Sequence, residues 1–267
     1  MDKRSNLAIK LDALQRLIMI NCLSGFLPIY VVTEYPKSGG TWVGQMVSEI
    51  LRVPFPRNKR PDFQSCLLHT HLLYMRTIKN VLVVFRDGRD VMVSQYFHML
   101  FENEKSSPIL VKKTRGDLSF KDYHDVEHNL PTFIDYIFDK ESSSVSPYHF
   151  TWTQFVNSWR GKDVATVKYE DMVAEPTYSL RTILRQMGRD GPDESYLDSV
   201  AKKYSFENQA MRKPGEENRM SFLRKGRPGD WMEKFNRKSA LLFDEYAGSE
   251  LIELGYAVNR SWVNSVE

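Results

Sequence analysis

The sequence predicts an α/β domain, a central parallel β-sheet flanked by helices, on one chain of 267 residues. Three observations lead there. Short apolar runs rich in β-branched residues occur at Ile29–Thr33 and Val81–Phe85, the pattern of strands buried on both faces. Each run passes through a short polar turn into a segment with helical apolar spacing, which suggests parallel βαβ construction. A chain of this length holds one sizeable domain without requiring two.

Taken in order, Ile29–Thr33 reads as a strand, and Trp42, Val43, Met46, Val47, Ile50 and Leu51 recur at helical spacing. Pro54-Phe55-Pro56 stops that helix, and a basic link follows through Arg60. Cys66–His71 reads as a second short strand ending in histidines, and Val81–Phe85 as the clearest buried strand. Asp87-Gly88-Arg89-Asp90 then opens a helix. Residues 102–147 read as an irregular excursion, functional or mobile, with a short helix over Pro131–Phe138 and a Ser-rich tract before Pro147 placed in a lid. Thr151–Trp159 is predicted helical and Val164–Tyr169 a strand. Helices are predicted from Glu175-Pro176 to about Met187 and over Glu194–Lys203. No repeat or linker divides the chain, so one domain over 1–267 is expected.

Composition excludes some classes. The 42% hydrophobic and 27% charged contents are those of a globular protein. A net charge of +3, with the positive residues spread out, does not suggest bulk nucleic-acid binding. Two cysteines, Cys22 and Cys66, make no disulfide framework and are expected to be buried thiols. Leu17–Leu27 is apolar but short and interrupted by Asn21 and Ser24. It falls below the roughly 18–20 residues of a membrane span, and no cleavage site follows it. A cytoplasmic protein is expected.

The turn between the first strand and helix carries chemistry. In Tyr35-Pro36-Lys37-Ser38-Gly39-Gly40-Thr41-Trp42 a lysine, adjacent glycines and hydroxyls precede a helix N-terminus. Glycine lets backbone N–H groups approach a ligand, the helix start favours negative charge, and lysine adds a point charge. The nucleotide rule G-x-x-x-x-G-K-[ST] is not met, because Lys37 precedes the glycines. The stretch does resemble the 5′-phosphosulfate loop, Y-P-K-S-G-T-T-W, of the sulfotransferases that use 3′-phosphoadenosine 5′-phosphosulfate (PAPS). Gly40 departs from it, losing a hydroxyl and keeping the backbone donors.

Further segments resemble that family in the same order, over roughly residues 30–235. Arg86–His98 is similar to its 3′-phosphate motif, Val167-Lys168-Tyr169-Glu170-Asp171-Met172 to its Y-E-D-M segment, and Tyr204-Ser205-Phe206 to its adenine segment T-S-F. Phe222–Gly226 followed by Gly229-Asp230-Trp231 resembles R-K-G-x-x-G-D-W. The resemblance implies a P-loop-like sulfotransferase fold with PAPS as co-substrate, 3′-phosphoadenosine 5′-phosphate (PAP) as product and no metal. It implies cofactor contacts from Lys37, Ser38, Gly39, Gly40, Thr41, Trp42, Arg86, Ser94, Tyr169, Tyr204, Phe206, Arg224, Lys225 and Gly226. Trp42 and Phe206 are the adenine-stacking candidates; surface charge and ordinary core packing are the competing readings of such residues.

Leu68-His69-Thr70-His71-Leu72 resembles the family's K-T-H-L, which places His71 on the catalytic base, and Lys37 on the leaving phosphate. A neutral imidazole suits that task near neutral pH. His69 stands where the family has lysine and Leu73 where it has proline; His69 would supply charge only when protonated. At period two the histidines share a strand face. That spacing also suits a metal pair, but the sequence presents no third ligand nearby.

The acceptor is expected to be a small molecule bearing a hydroxyl or amine. Tyr96, Phe97, Phe101, Tyr148, Phe150 and Trp152 are candidates for an aromatic slot, or equally for core. The family's dimer motif K-x-x-x-T-V-x-x-x-E is not reproduced over Met232–Leu241, leaving oligomeric state open. Two rivals stand beside the transferase: a P-loop kinase using ATP–Mg²⁺, and a scaffold that binds the nucleotide without turning it over.

Overall fold

A computed structural model describes residues 6–57, 59–103, 105–139 and 149–266, with side chains from residue 11 onward. Tyr148 and the Ser-rich tract, Ser142–Ser144, lie outside the described residues. In chain order the elements are α1 (Asn6–Ile18), β1 (Ile29–Glu34), α2 (Gly40–Ile50), β2 (Cys66–Thr70), β3 (Val81–Phe85) and α3 (Gly88–Leu100). Then come α4 (Pro108–Asp117), α5 (Val126–Phe138), α6 (Trp152–Trp159), β4 (Ala165–Lys168), α7 (Tyr169–Ala174) and α8 (Pro176–Gln186). The last are α9 (Glu194–Lys203), α10 (Phe206–Ala210) and α11 (Arg237–Glu253). They fall into two compact units.

The first unit comprises residues up to Tyr35, Gly39–Phe85 and Trp159–Ser205. Its sheet has the order β2-β1-β3-β4, and every pair is parallel. The α/β class and the parallel sheet are as expected. All six residues of β1 are buried, as are all five of β3, which is why both read as continuous apolar runs rather than alternating ones. One face packs Tyr30, Val32, Leu67, Leu82 and Val84 against Val43, Met46 and Val47 of α2 and against Leu180, Ile183, Leu197 and Val200 of α8 and α9. The strand order reverses beside β1: α2 leads to β2 on one side, and β3 lies on the other. In open α/β sheets the crevice beyond the strand ends at such a reversal is where ligands bind.

Some local expectations change. On α1, Gln15 is buried while Leu14 and Leu17 are half exposed. Among the described residues no helix is long and apolar enough to cross a membrane. Cys66 is buried as expected, but Cys22 is exposed.

The second unit comprises Pro36–Ser38, Arg86–Ser158 and Phe206 onward. Its central helix, α3, is buried nearly all round. Asp87 caps it by accepting from the Arg89 amide at 2.9 Å. The excursion read as irregular contains two helices. Ser107 caps α4 with Pro108 in its first turn, and Asp125 caps α5. The sequence reading began α5 at Pro131, where proline is favoured, whereas Pro131 sits inside it. Proline cannot donate to the carbonyl four residues back. That carbonyl, on Glu127, accepts instead from Asn236 Nδ2 at 3.0 Å, while Asn236 Oδ1 caps α11 through the Ser239 amide at 2.9 Å.

One side chain thus serves two helices, the carbonyl that Pro131 leaves unmet in α5 and a first-turn amide of α11. Asn236→Ala is expected to lower stability by about 1–2 kcal/mol, from the lost cap and the unmet carbonyl. Asn236→Asp, which keeps the cap and loses the donor, should lose less. Urea midpoints for the two variants check the order, and equal losses would remove the proline-carbonyl part of this account.

Candidate active site

In the first unit the site is built from the end of β1, the start of α2 and the end of β2. Gly39 caps α2 in the left-handed region, at φ 95°, without a side-chain cap bond. A Cβ there would meet Tyr169 Cδ2 at 2.6 Å. Both the backbone and the space therefore require glycine. The start of α2 presents first-turn amides, with the positive end of the helix dipole behind them. The Trp42 indole N–H donates to the Tyr204 carbonyl at 2.6 Å, and its ring meets Tyr169 edge-on at 5.7 Å. Tyr204 sends its hydroxyl to Glu49 at 2.7 Å. Tyr169, Trp42 and Tyr204 are thus brought together around the loop.

Glu34, the last residue of β1, is a candidate site residue that the sequence motifs do not single out. It is 3% exposed. Its Oε2 accepts the Gly40 amide at 2.6 Å, and Oε1 accepts from His69 Nε2 at 2.8 Å. Burial alone would raise this carboxyl, but His69, His71 and the Gly40 amide together hold it below the usual carboxylate value. The expectation that Gly40 keeps its backbone donor for a ligand is corrected: Glu34 already holds it. A Cβ on residue 40 would lie 2.8 Å from Glu34 Cδ, which gives the missing threonine a physical reason. The signal was a carboxylate closing an otherwise apolar strand.

His71 follows β2 directly. Its Nδ1 lies 3.0 Å from the Glu34 carbonyl. A carbonyl only accepts, so Nδ1 carries the proton, and the neutral ring has its lone pair on Nε2. Burial, then the neighbouring His69, push His71 down to about 4, so the ring is neutral at physiological pH. The chain around it is fastened: the Leu72 amide donates to Thr33 Oγ1 at 3.1 Å, and the Trp159 indole donates to the Leu72 carbonyl at 2.7 Å. His69 and His71 share a face as expected, with ring centroids 4.8 Å apart. The expectation that the pair has no third ligand nearby is corrected, since donor atoms of Glu34, His69 and His71 all lie within 4.8 Å of one another.

The second unit holds the remaining candidates. Lys37 has φ 76°, uncommon for a residue with a side chain, and Arg86 donates to its carbonyl at 2.8 Å. The Lys37 ammonium lies 3.8 Å from the centroid of the Phe222 ring. The Ser38 hydroxyl is buried without a hydrogen-bond partner among the described residues, a cost of about 1–3 kcal/mol that an arriving acceptor oxygen would offset. Such an orphaned donor fits a phosphate group. Ser94 and His98 stand one turn apart on α3, both half-buried. Asp90, within the Arg86–His98 segment, accepts the Gly229 and Trp231 amides at 2.7 and 3.0 Å, fixing the Gly229-Asp230-Trp231 segment on α3.

Arg224 and Lys225 carry ion pairs rather than standing alone. Arg224 bonds Glu217 and Asp230, and Lys225 bonds Asp230 and Glu233. Gly226 approaches the Phe206 ring so closely that a Cβ would fall 2.2 Å from it. Tyr96, Phe97, Phe101, Phe150 and Trp152 are all buried. The Tyr96 hydroxyl donates to the Tyr123 carbonyl at 2.8 Å and accepts from Asn129 at 3.0 Å. Of the two readings their spacing left open, this burial fits packing.

The comparisons agree on a family. The sulfotransferase domain model matches residues 57–255, a stretch that begins after the 35–42 loop. Among curated relatives, the chain is 25% identical to Sulfotransferase 1A1 of Rattus norvegicus, covering 85% of each chain. It is 24% identical to the amine sulfotransferase of Oryctolagus cuniculus, over 84% of this chain and 80% of that one. The structure of mouse sulfotransferase SULT7A1 complexed with PAP superposes with a TM-score of 0.62 at 19% identity, over 91% of both chains. Retinol dehydratase in complex with androsterone and inactive cofactor PAP gives 0.56 at 15% identity, over 87% of this chain and 83% of that one.

Burial and the Lys37 charge push His98 down to about 4, below the roughly 6.5 of an unfolded histidine. The unfolded chain therefore binds more protons between those values, and stability falls as pH drops through that window. His98→Phe is expected to flatten this loss by up to about 1.4 kcal/mol per pH unit. Denaturant midpoints at pH 7 and pH 5 measure it, and an unchanged slope would count against the assignment.

Proposed function

The chain belongs to the sulfotransferase domain family, and from that premise we propose that it moves a sulfuryl group from PAPS to a hydroxyl or amine of a small acceptor. PAP is the second product. The observation that carries the reading is the β1–α2 turn at the reversal of strand order, where Gly39 exposes the start of α2 and His71 stands one strand away. An anion at a helix start with a neutral imidazole nearby is what in-line sulfuryl transfer requires. PAPS supplies the activated sulfuryl group.

His71 Nε2 takes the acceptor's proton as the new S–O or S–N bond forms. The old S–O bond breaks, and its electron pair leaves on the 5′-phosphate oxygen. Lys37 neutralises the charge that develops there. The Glu34 carbonyl holds the His71 ring in the productive tautomer and stabilises it once it is charged. Gly39, the amides of Thr41 and Trp42, and Ser38 are the donors for the 5′-phosphate, with Gly40 withdrawn by Glu34. Arg86, Ser94, Arg224, Lys225 and Gly226 would receive the 3′-phosphate, and Tyr169, Tyr204, Trp42 and Phe206 would flank the adenosine. His69 has its Nε2 on Glu34, so the neutral ring presents a lone pair at Nδ1, and it donates toward the transferring group only as the imidazolium. The family resemblance also supports one catalytic domain in the cytoplasm.

A thermal melt with PAP, ADP and ATP–Mg²⁺ in parallel tests the nucleotide. PAP at about 100 times its Kd should add about 2.7 kcal/mol of stability, with little from ADP. A shift with ATP–Mg²⁺ and none with PAP would replace this reading by a kinase. His71→Ala should lower turnover by about 10²–10⁴-fold while the PAP shift persists. Wild-type PAP binding without turnover of PAPS on any phenol, alcohol or amine would leave the scaffold instead.

A further inference from the structure

We propose that Glu34, His69 and His71 form a binding site for a divalent cation of the zinc class, with Glu34 Oε1, His69 Nε2 and His71 Nε2 as its donors. The donors converge because β1 and β2 are hydrogen-bonded neighbours, with Val32 opposite His69 in register. Glu34 closes β1, and His69 and His71 lie two residues apart on one face. All three offer ligand atoms within 4.8 Å of one another. Donors in a tetrahedral zinc site stand roughly 3.3 Å apart, given bonds of about 2.0–2.1 Å. Ligand atoms of the three residues thus stand within about 1.5 Å of that spacing before any metal arrives.

The outer atoms of two ligands are already held. Glu34 Oε2 accepts the Gly40 amide at 2.6 Å, and His71 Nδ1 donates to the Glu34 carbonyl at 3.0 Å. Metal-binding imidazoles and carboxylates characteristically carry such outer bonds, which fix tautomer and orientation. Glu34 is buried, so a cation would meet its carboxyl group away from water. Two imidazoles and one carboxylate suit zinc and its borderline neighbours over magnesium or calcium. Three protein ligands leave a fourth position for water. On binding, the proton that now faces Glu34 on His69 Nε2 moves to Nδ1, and the metal takes its place between the two residues. One consequence rests on the sulfotransferase reading: the metal would hold the lone pair that His71 needs as base, so occupancy would stop turnover.

The test uses the untagged full chain without nucleotide. Zn²⁺ is titrated by calorimetry, and Co²⁺ by its visible absorption. Wild type is expected to take up one equivalent without a thiolate charge-transfer band, and Cys22→Ser to bind equally. His69→Lys and Glu34→Gln should each bind at least about 10-fold more weakly. No uptake by wild type at about millimolar metal would overturn the site, as would His69→Lys binding like wild type while melting as a folded protein. If Glu34→Gln does not fold, His69→Lys decides alone. Because the nucleotide melt with PAP contains no metal, failure of either result leaves the other reading intact.

Discussion

The Glu34 carboxylate is the constraint on which the first unit's site depends. A buried, ionised carboxylate is costly unless its oxygens find partners, and this one has the Gly40 amide on one oxygen and His69 on the other. Each partner excludes alternatives. The Gly40 contact leaves no room for a Cβ at that position. The His69 bond fixes one imidazole against the strand end, while the carbonyl of the same glutamate fixes the other. Glycine at 40 and histidine at 69, read separately as two departures from a motif, therefore answer to one side chain. A threonine at 40 would crowd the carboxylate, and a lysine at 69 would place a full cation where a shared hydrogen bond now sits.

Much of the fold was legible because burial writes itself as composition. β1 and β3 are buried on both faces and read as unbroken apolar runs; α9 begins after a capping aspartate, Asp193, and spans the predicted Glu194–Lys203. The 102–147 stretch was less legible. Its helix α4 has only Val111 and Thr114 buried, too few to make a periodic stripe. The start of α5 was obscured by Pro131, whose rescue by Asn236 is a contact far along the chain. Long-range satisfaction of a backbone carbonyl leaves no local trace.

Among the site candidates of the two units, those legible in sequence are the ones whose type alone carries chemistry: Lys37, His69, His71, Arg86 and the glycines. What could not be read was how they are already engaged. Arg86 holds the Lys37 carbonyl, and Lys37 rests on Phe222. Asp90 reads in sequence as part of a helix start, yet its two backbone bonds fix the turn that precedes Trp231. Burial pushes its carboxyl up against the pull of Arg86 and those amides. Burial is the quantity a sequence reports least well for polar groups, because a charged residue reads the same at a surface and beneath one.

The basic segment of the second unit extends this point to charge. Arg224, Lys225 and Arg227 are matched by Glu217, Asp230 and Glu233. Burial alone would lower Lys225, but Asp230 and Glu233 hold it above its ordinary value. Asp230, which burial would raise, is brought down by Arg224 and Lys225. A cluster of three cations and three carboxylates has little net charge with which to draw a phosphate from a distance. It has instead cations whose positions are set by the protein's own carboxylates. Glu34 stands in the same relation to the Gly40 amide in the first unit. In both units the protein answers its own donors with its own acids, so these donors are held in place by internal partners.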